Sequence, residues 1–131
     1  MLKKSIVCIS LLLIFNIIDA QRPKCVSAKQ FYFLTEKHPN ALILDVRPSE
    51  KFAQYRIKNA IPLPTKKELI ALARELPRQD TILIYCEIES RSRPAVHALD
   101  SLGFTHVYEL RGGLISWRRI CLPLDDTSLN K

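Results

Sequence analysis

The chain has 131 residues, of which 47% are hydrophobic and 25% are charged, and its formal net charge is +7. This length suits a single domain, and the composition excludes a disordered, collagen-like or low-complexity chain. The basic excess contains no run of five like charges and no interleaved aromatic side chains. We therefore expect no nucleic-acid partner, whereas a small anionic substrate is compatible with the charge.

Residues 1–20 have the pattern of a signal peptide. A short basic start precedes an apolar stretch over residues 6–18, and Ala20 is a small residue suited to the position before a cleavage point. The stretch is too short to cross a bilayer as a helix, which needs about 20 apolar residues. We expect an exported protein, periplasmic or secreted, whose mature chain 21–131 has no stable membrane anchor. An uncleaved anchor is the alternative.

Short apolar strands follow this segment. Near-continuous apolar runs predict buried strands at residues 41–46 and 81–85, of the kind covered on both faces of a parallel sheet. A weaker strand is predicted at residues 107–110. Residues 24–26 and 61–63 are predicted as edge strands, the latter because Pro62 lies within it and Pro64 follows it.

Helical segments lie between these strands. Ser27 and Thr65 suit the N-caps of two helices, Pro94 suits the first turn of a third, and Gly112-Gly113 introduces a last helix. Strands separated by helices of this length need crossover connections. We therefore predict a single-domain α/β fold, with a mostly parallel open sheet of about five short strands and helices on both faces.

In such sheets ligands bind beyond the carboxyl ends of the strands, which points to the residues after Leu44 and after Tyr85. Cys86 directly follows the second of these strands, and a loop separates it from the next helix. The loop residues are Glu87, Ile88, Glu89, Ser90, Arg91 and Ser92. A thiol facing a helix N-terminus is favoured as the thiolate, because amides and the helix dipole stabilise negative charge. The alternative is that Cys86 is a small buried residue at a strand end.

These motifs resemble those of single-domain rhodaneses, which are sulfurtransferases, over residues 24–122. The motifs in chain order are Asp45-Val46-Arg47 with Glu50 and Phe52, Ile57 with Ala60-Ile61-Pro62, Tyr85-Cys86 with Arg91-Ser92, and Leu110-Arg-Gly-Gly-Leu-Ile-Ser-Trp117. The resemblance implies that Cys86 takes sulfur from thiosulfate or a similar anionic donor as a persulfide and passes it to cyanide or a thiol acceptor. It implies that the loop amides hold the persulfide's charge and that Arg91 binds the donor.

Asp45 and Arg47 match the family's Asp-x-Arg, and we expect them to form a supporting salt bridge rather than to contact substrate. The sequence indicates neither a cofactor nor a metal site. It has no C-x-x-C or H-E-x-x-H motif, and His38, His97 and His106 lack the spacing of metal ligands.

Two features of the loop bear on the alternative functions. Related phosphatases have five residues between Cys and Arg, whereas Cys86 and Arg91 are separated by four, so a phosphatase or arsenate-reducing activity is disfavoured. Glu89 stands where the family often has glycine, at a position that needs φ > 0. Glu87 and Glu89 beside a thiolate would disfavour its charge and repel an anionic donor. The second hypothesis is therefore a catalytically silent module that binds a protein partner. Carboxylates that point outward would instead favour a cationic or protein-borne acceptor.

The mature chain holds three cysteines, Cys25, Cys86 and Cys121. An odd cysteine in an oxidising compartment often marks a free reactive thiol. A disulfide between Cys25 and Cys121 would leave Cys86 free, but sequence does not show whether their Cα atoms come within about 7 Å. The sequence leaves this bridge open.

Overall fold

The computed structural model describes residues 22–127, and the predicted signal peptide lies outside the described residues. The strands of this part of the chain are β1 (Lys24–Val26), β2 (Leu42–Asp45), β3 (Tyr55–Arg56), β4 (Ile61–Pro62), β5 (Thr81–Tyr85), β6 (His106–Leu110) and β7 (Asp125–Asp126). The helices are α1 (Ala28–Lys37), α2 (Ser49–Gln54), α3 (Lys66–Glu75), α4 (Ser92–Ser101) and α5 (Gly113–Arg119).

The main sheet has five strands in the order β1-β6-β5-β2-β4, and every neighbouring pair is parallel. This confirms the predicted α/β fold. The strands predicted as edges, β1 and β4, are the two edges. The strongest apolar run, β5, lies at the centre of the sheet, as expected for a strand buried on both faces.

Helices cover both faces of the sheet. Side chains alternate along β5, so Ile82 and Ile84 lie in one apolar cluster and Leu83 and Tyr85 lie in the other. Residues of α3 and α4 complete the first cluster, and residues of α1 and α5 complete the second. The two cores hold β5 rigidly and therefore fix where its carboxyl end points.

The predicted helix starts are also confirmed. The side chains of Ser27 and Thr65 accept hydrogen bonds from the backbone N–H groups of Gln30 and Glu68, which form capping boxes at α1 and α3. Pro94 lies in the first turn of α4. The last helix, α5, follows Gly112, which has φ 73°.

One helix and one two-stranded ribbon were not predicted. The short helix α2 begins after Pro48 with no side-chain cap, and β3 pairs with β7 in a separate antiparallel ribbon. Both lack the periodic apolar pattern from which the other elements were predicted. Across residues 22–127, no helix has the length and hydropathy to cross a membrane.

Candidate active site

The segments that follow β2 and β5 lie side by side at the carboxyl edge of the sheet. Asp45 pairs in register with Tyr85, and the N–H of Val46 donates to the Tyr85 carbonyl at 3.1 Å. The two strand ends selected from the sequence are therefore neighbours.

The end of β2 carries a buried ion pair. Arg47 is 1% exposed and Asp45 is fully buried. Arg47 Nη2 lies 2.7 Å from Asp45 Oδ2, and Nη2 also donates to the Tyr55 carbonyl at 2.6 Å. Burial alone would lower the pKa of Arg47, but its bonds to Asp45 and Glu87 outweigh that effect and raise its pKa above the usual value. The geometry is that of the supporting salt bridge expected from the sequence.

The end of β5 carries the thiol. Cys86 Sγ accepts the backbone N–H of Ser92 at 3.3 Å and donates to the Ser92 hydroxyl at 3.4 Å. Cys86 is also 1% exposed and packs in the apolar cluster with Val46, Ala95 and Val96. The thiol therefore has a polar partner at the start of α4 on one side and apolar packing on the others.

The loop after Cys86 presents unused donors. The backbone N–H groups of residues 87–91 meet no acceptor in the described part of the chain, and residues 88, 90 and 91 are exposed, so these groups are open to solvent or to a ligand. They precede α4, whose N-terminus carries a partial positive charge. This arrangement is suited to holding an anion.

The opposite side of the loop is attached to α5. The N–H groups of Leu114 and Ile115 donate to the carbonyls of Cys86 and Glu87 at 2.9 and 3.3 Å. Gly113 has φ 61°, and a Cβ there would lie 2.2 Å from the Glu87 oxygen. Only glycine allows this approach of helix and loop.

The two loop glutamates are engaged by their own neighbours. Glu87 Oε2 lies 3.3 Å from Arg47 Nη1, and its Oε1 accepts from the Tyr55 hydroxyl at 3.4 Å. Glu89 accepts the N–H of Gly112 and pairs with Arg93. Each glutamate is therefore held by an arginine, which weakens the expected repulsion of an anionic donor, but Arg47 is shared with Asp45 and Arg93 with Glu109, so the repulsion is only partly relieved.

Glu89 has φ 72°, as expected for the position where the family often has glycine. A left-handed conformation costs a residue with a Cβ about 1–2 kcal/mol. The hydrogen bond to Gly112 and the ion pair with Arg93 offset part of that cost.

Arg91 differs from the expectation that it binds the donor. Its Nε and Nη2 donate to the carbonyls of Val46 and Pro64 at 2.8 and 2.7 Å. These carbonyls lie just beyond the paired parts of β2 and β4, where backbone acceptors need other donors. Arg91 ties the loop to the neighbouring strand ends. Of the remaining loop residues, Ile88 and Ser90 are exposed.

The disulfide that the sequence left open is not formed, because Cys25, Cys86 and Cys121 are all free thiols. Cys25 Sγ lies 4.0 Å from Glu89 Oε1, and Glu89 contacts Gly112 just before α5. Cys121 follows the other end of this helix.

One residue of the site was missed from the sequence. Glu109 on β6 is 4% exposed, and its Oε1 accepts the Ser92 hydroxyl at 2.8 Å. The available signal was the strand alternation, because Glu109 lies two residues after the buried Val107 and thus on the same inward face. In residues 22–127, no cluster of three or more His, Cys, Asp or Glu could hold a metal ion.

Comparison with known proteins agrees with this geometry. The family model of the rhodanese-like domain matches residues 27–120. A sulfurtransferase of Allochromatium vinosum is 35% identical over 85 residues, which cover 65% of this chain and 78% of that protein. The thiosulfate sulfurtransferase PspE of Escherichia coli is 36% identical over 72 residues, covering 54% and 68%. The crystal structure of the Alr3790 protein from Anabaena sp. superposes with a TM-score of 0.70 at 28% identity, covering 80% of this chain and 85% of that one.

Proposed function

The chain belongs to the rhodanese-like domain family, and on that premise we propose that it is a sulfurtransferase that carries sulfur on Cys86. Its curated relatives include sulfurtransferases from two bacteria. Within the described chain, Cys86 is the cysteine that directly follows the central strand and faces the N-terminus of α4.

The reaction consists of two displacements at sulfur. The Cys86 thiolate attacks the outer sulfur of thiosulfate, a new S–S bond forms, and the donor's S–S bond breaks so that sulfite leaves with the electron pair. Cyanide or a thiolate then attacks the outer sulfur of the persulfide and releases the Cys86 thiolate. Covalent catalysis of this kind replaces one difficult transfer by two easier ones.

The observation that carries the proposal is the row of unpaired amides at residues 87–91 around a thiol that already accepts the Ser92 N–H. Donors fixed in this way stabilise a charge without reorganisation when it forms, which is usually the largest catalytic contribution. A persulfide at Cys86 would extend toward those amides.

We propose thiosulfate or a similar small anion as the donor and cyanide or a thiol as the acceptor. The loop amides and the N-terminus of α4 supply the local attraction for an anion. We also propose export to the periplasm or the exterior, on the basis of the signal-peptide pattern of residues 1–20.

The test mixes the purified protein with thiosulfate and cyanide and measures thiocyanate, with Cys86→Ala as the negative variant and Cys121→Ala as the matched control. We expect turnover in the wild type and in Cys121→Ala and none in Cys86→Ala. Mass spectrometry after thiosulfate alone should show an added mass of about 32 Da, one sulfur, on Cys86. Turnover that persists in Cys86→Ala would contradict the proposal.

A second candidate function is supported by the burial of the thiol. Cys86 is 1% exposed, which is the environment of an inert structural cysteine and of a catalytically silent module that binds a protein partner. Iodoacetamide separates the two candidates. A sulfurtransferase requires that Cys86 be alkylated in the native protein, whereas a silent module predicts alkylation only after unfolding.

A further inference from the structure

A cavity of about 130 Å³ lies beside the loop, where the segments after β2 and β4 meet the first turns of α3 and α4. Six apolar side chains form most of its wall: Val46, Leu63, Pro64, Leu69, Pro94 and Ala95. None of residues 86–90 lines it. The cavity is therefore a second space, separate from the one in which the loop amides surround the sulfur.

The floor of this cavity is apolar. Its buried side chains, between 2% and 9% exposed, are Val46, Leu63, Leu69 and Ala95. Apolar walls around an empty space lack the dispersion contacts that the atoms of a ligand would supply. A dry apolar cavity of roughly 150 Å³ in another protein binds benzene. The floor is therefore suited to one ring or a short branched chain.

The rim of the cavity is cationic. Lys66 and Arg91 line it and are exposed, and its wall contains no carboxylate from the described residues. Neither cation forms an ion pair with a described residue. Glu68, the acidic residue in the first turn of α3, is engaged by Thr65 in the capping box. The charge at the rim therefore favours an anion.

Arg91 is held at the cavity by its own hydrogen bonds. Its Nε and Nη2 donate to the carbonyls of Val46 and Pro64, which both belong to the wall, whereas Nη1 donates to no described residue. Because the side chain is already ordered, a ligand that binds Nη1 avoids most of the entropy cost of immobilising it. The N-terminus of α3, which begins at Lys66, adds a partial positive charge.

We propose that this cavity binds a small organic carboxylate. The apolar part of the ligand packs on the floor, and its carboxylate accepts hydrogen bonds from Arg91 Nη1 and Lys66 Nζ at the rim. The proposal goes beyond sulfur transfer and does not depend on it, because none of these contacts involves Cys86. A bound carboxylate contacts the residue that ties the loop to the neighbouring strand ends.

The test is a titration of the isotope-labelled protein with benzoate, followed by NMR shifts of the backbone amides of Leu69 and Ala95. Benzamide has the same ring without the charge, and acetate has the charge without the ring. We expect saturable shifts with benzoate. Binding should be about three- to fivefold weaker for benzamide, which loses the ion pairs, and more than about tenfold weaker for acetate, which buries no ring. No saturable shift with benzoate, or an equal affinity for acetate, overturns the proposal.

Two pairs of variants locate the site. Lys66→Gln removes one cation from the rim and should weaken benzoate binding about three- to fivefold. Lys67→Gln removes the same charge from the same turn of α3 but outside the cavity wall, and it should bind as the wild type does. Equal affinities in these two variants would contradict the assigned rim.

Ala95→Leu fills the floor and should abolish saturable binding. Ala98→Leu makes the same replacement in α4 at a residue outside the wall, and it should preserve binding. Saturable binding in Ala95→Leu overturns the proposal, and the two lysine variants decide the question if Ala95→Leu does not fold. Because NMR reads binding directly, the outcome does not depend on whether the protein forms thiocyanate.

Discussion

The segment after β2 and the segment after β5 lie side by side, yet their polar groups are satisfied to different degrees. At the end of β2, Arg47 and Asp45 are buried and bonded to one another. At the end of β5, the loop contains a left-handed Glu89 and unpaired amides at residues 87–91. Strained residues concentrate at sites that bind ligands. The segment after β5 is therefore the one suited to bind an anion, and the segment at the end of β2 supports it.

Removing the buried cation should have the largest effect on this contrast. Arg47→Met leaves Asp45 as an uncompensated buried charge and should lower the free energy of unfolding by about 3–5 kcal/mol. The measurement is urea unfolding followed by circular dichroism. Arg118→Met is the matched control, because Arg118 also stacks at 5.0 Å on the Tyr55 ring but is exposed. A loss in the control as large as that in Arg47→Met would contradict the assigned role.

Gly113→Ala should disturb the binding segment rather than its support. The new Cβ would meet the Glu87 carbonyl at 2.2 Å, at a residue with φ 61°. We expect a loss of about 2–4 kcal/mol, from the left-handed conformation and the forced packing together. Thiocyanate formation should fall with it. Gly103→Ala, also at positive φ but with only an ordinary contact to the Arg78 side chain at 4.0 Å, isolates the conformational part of the loss. An equal loss in both variants would exclude the contact with Glu87 as a cause.

Alkaline pH should act on Tyr85, the last residue of β5, which contacts the Asp45–Arg47 pair. Burial, reinforced by Asp45, raises the pKa of Tyr85 above its usual value of about 10. Above pH 10 the unfolded chain releases this proton while the folded chain retains it, so stability falls as pH rises, by about 1.4 kcal/mol per pH unit at most. Urea midpoints between about pH 9 and pH 11 should fall more steeply in the wild type than in Tyr85→Phe. An equal fall of the urea midpoint with pH in both proteins would contradict the assignment of this pH dependence to Tyr85.

Glu89→Gly should have the smallest effect. Glycine removes the cost of the left-handed conformation, which is about 1–2 kcal/mol. Against this gain, the variant loses the bonds to Gly112 and Arg93, and glycine makes the unfolded chain more flexible. We expect a net change below about 1 kcal/mol in urea unfolding. Glu87→Gly makes the same replacement at a residue without positive φ, and it should be more destabilising. If Glu89→Gly were the more destabilising of the two variants, the left-handed conformation of Glu89 would carry no cost.

Much of the fold could be predicted because its strongest signals are local. An apolar run identifies β5, and the caps at Ser27 and Thr65 mark helix starts within a few residues. The ribbon of β3 and β7 could not be predicted, since each strand has two residues and the two lie far apart in sequence.

Most residues of the candidate site could be predicted, but Glu109 and some of the roles could not. Cys86 and its loop follow from the position after β5, and the Asp45–Arg47 pair follows from two residues that are only two positions apart. Arg91 donates to carbonyls 45 and 27 residues away, and no local pattern indicates such partners. Glu109 required knowing which face of β6 points toward α4.

The contact between the loop and the last helix links substrate entry to the second apolar core. Trp117 of α5 is fully buried and packs edge-on against Phe31 at 6.1 Å. If the loop moves away from the Cys86 sulfur, the hydrogen bonds that Leu114 and Ile115 donate to it must break, or α5 must tilt together with the loop. The rate of deuterium uptake at those two amides therefore reports how often the contact between the loop and α5 opens. It can be measured without any substrate.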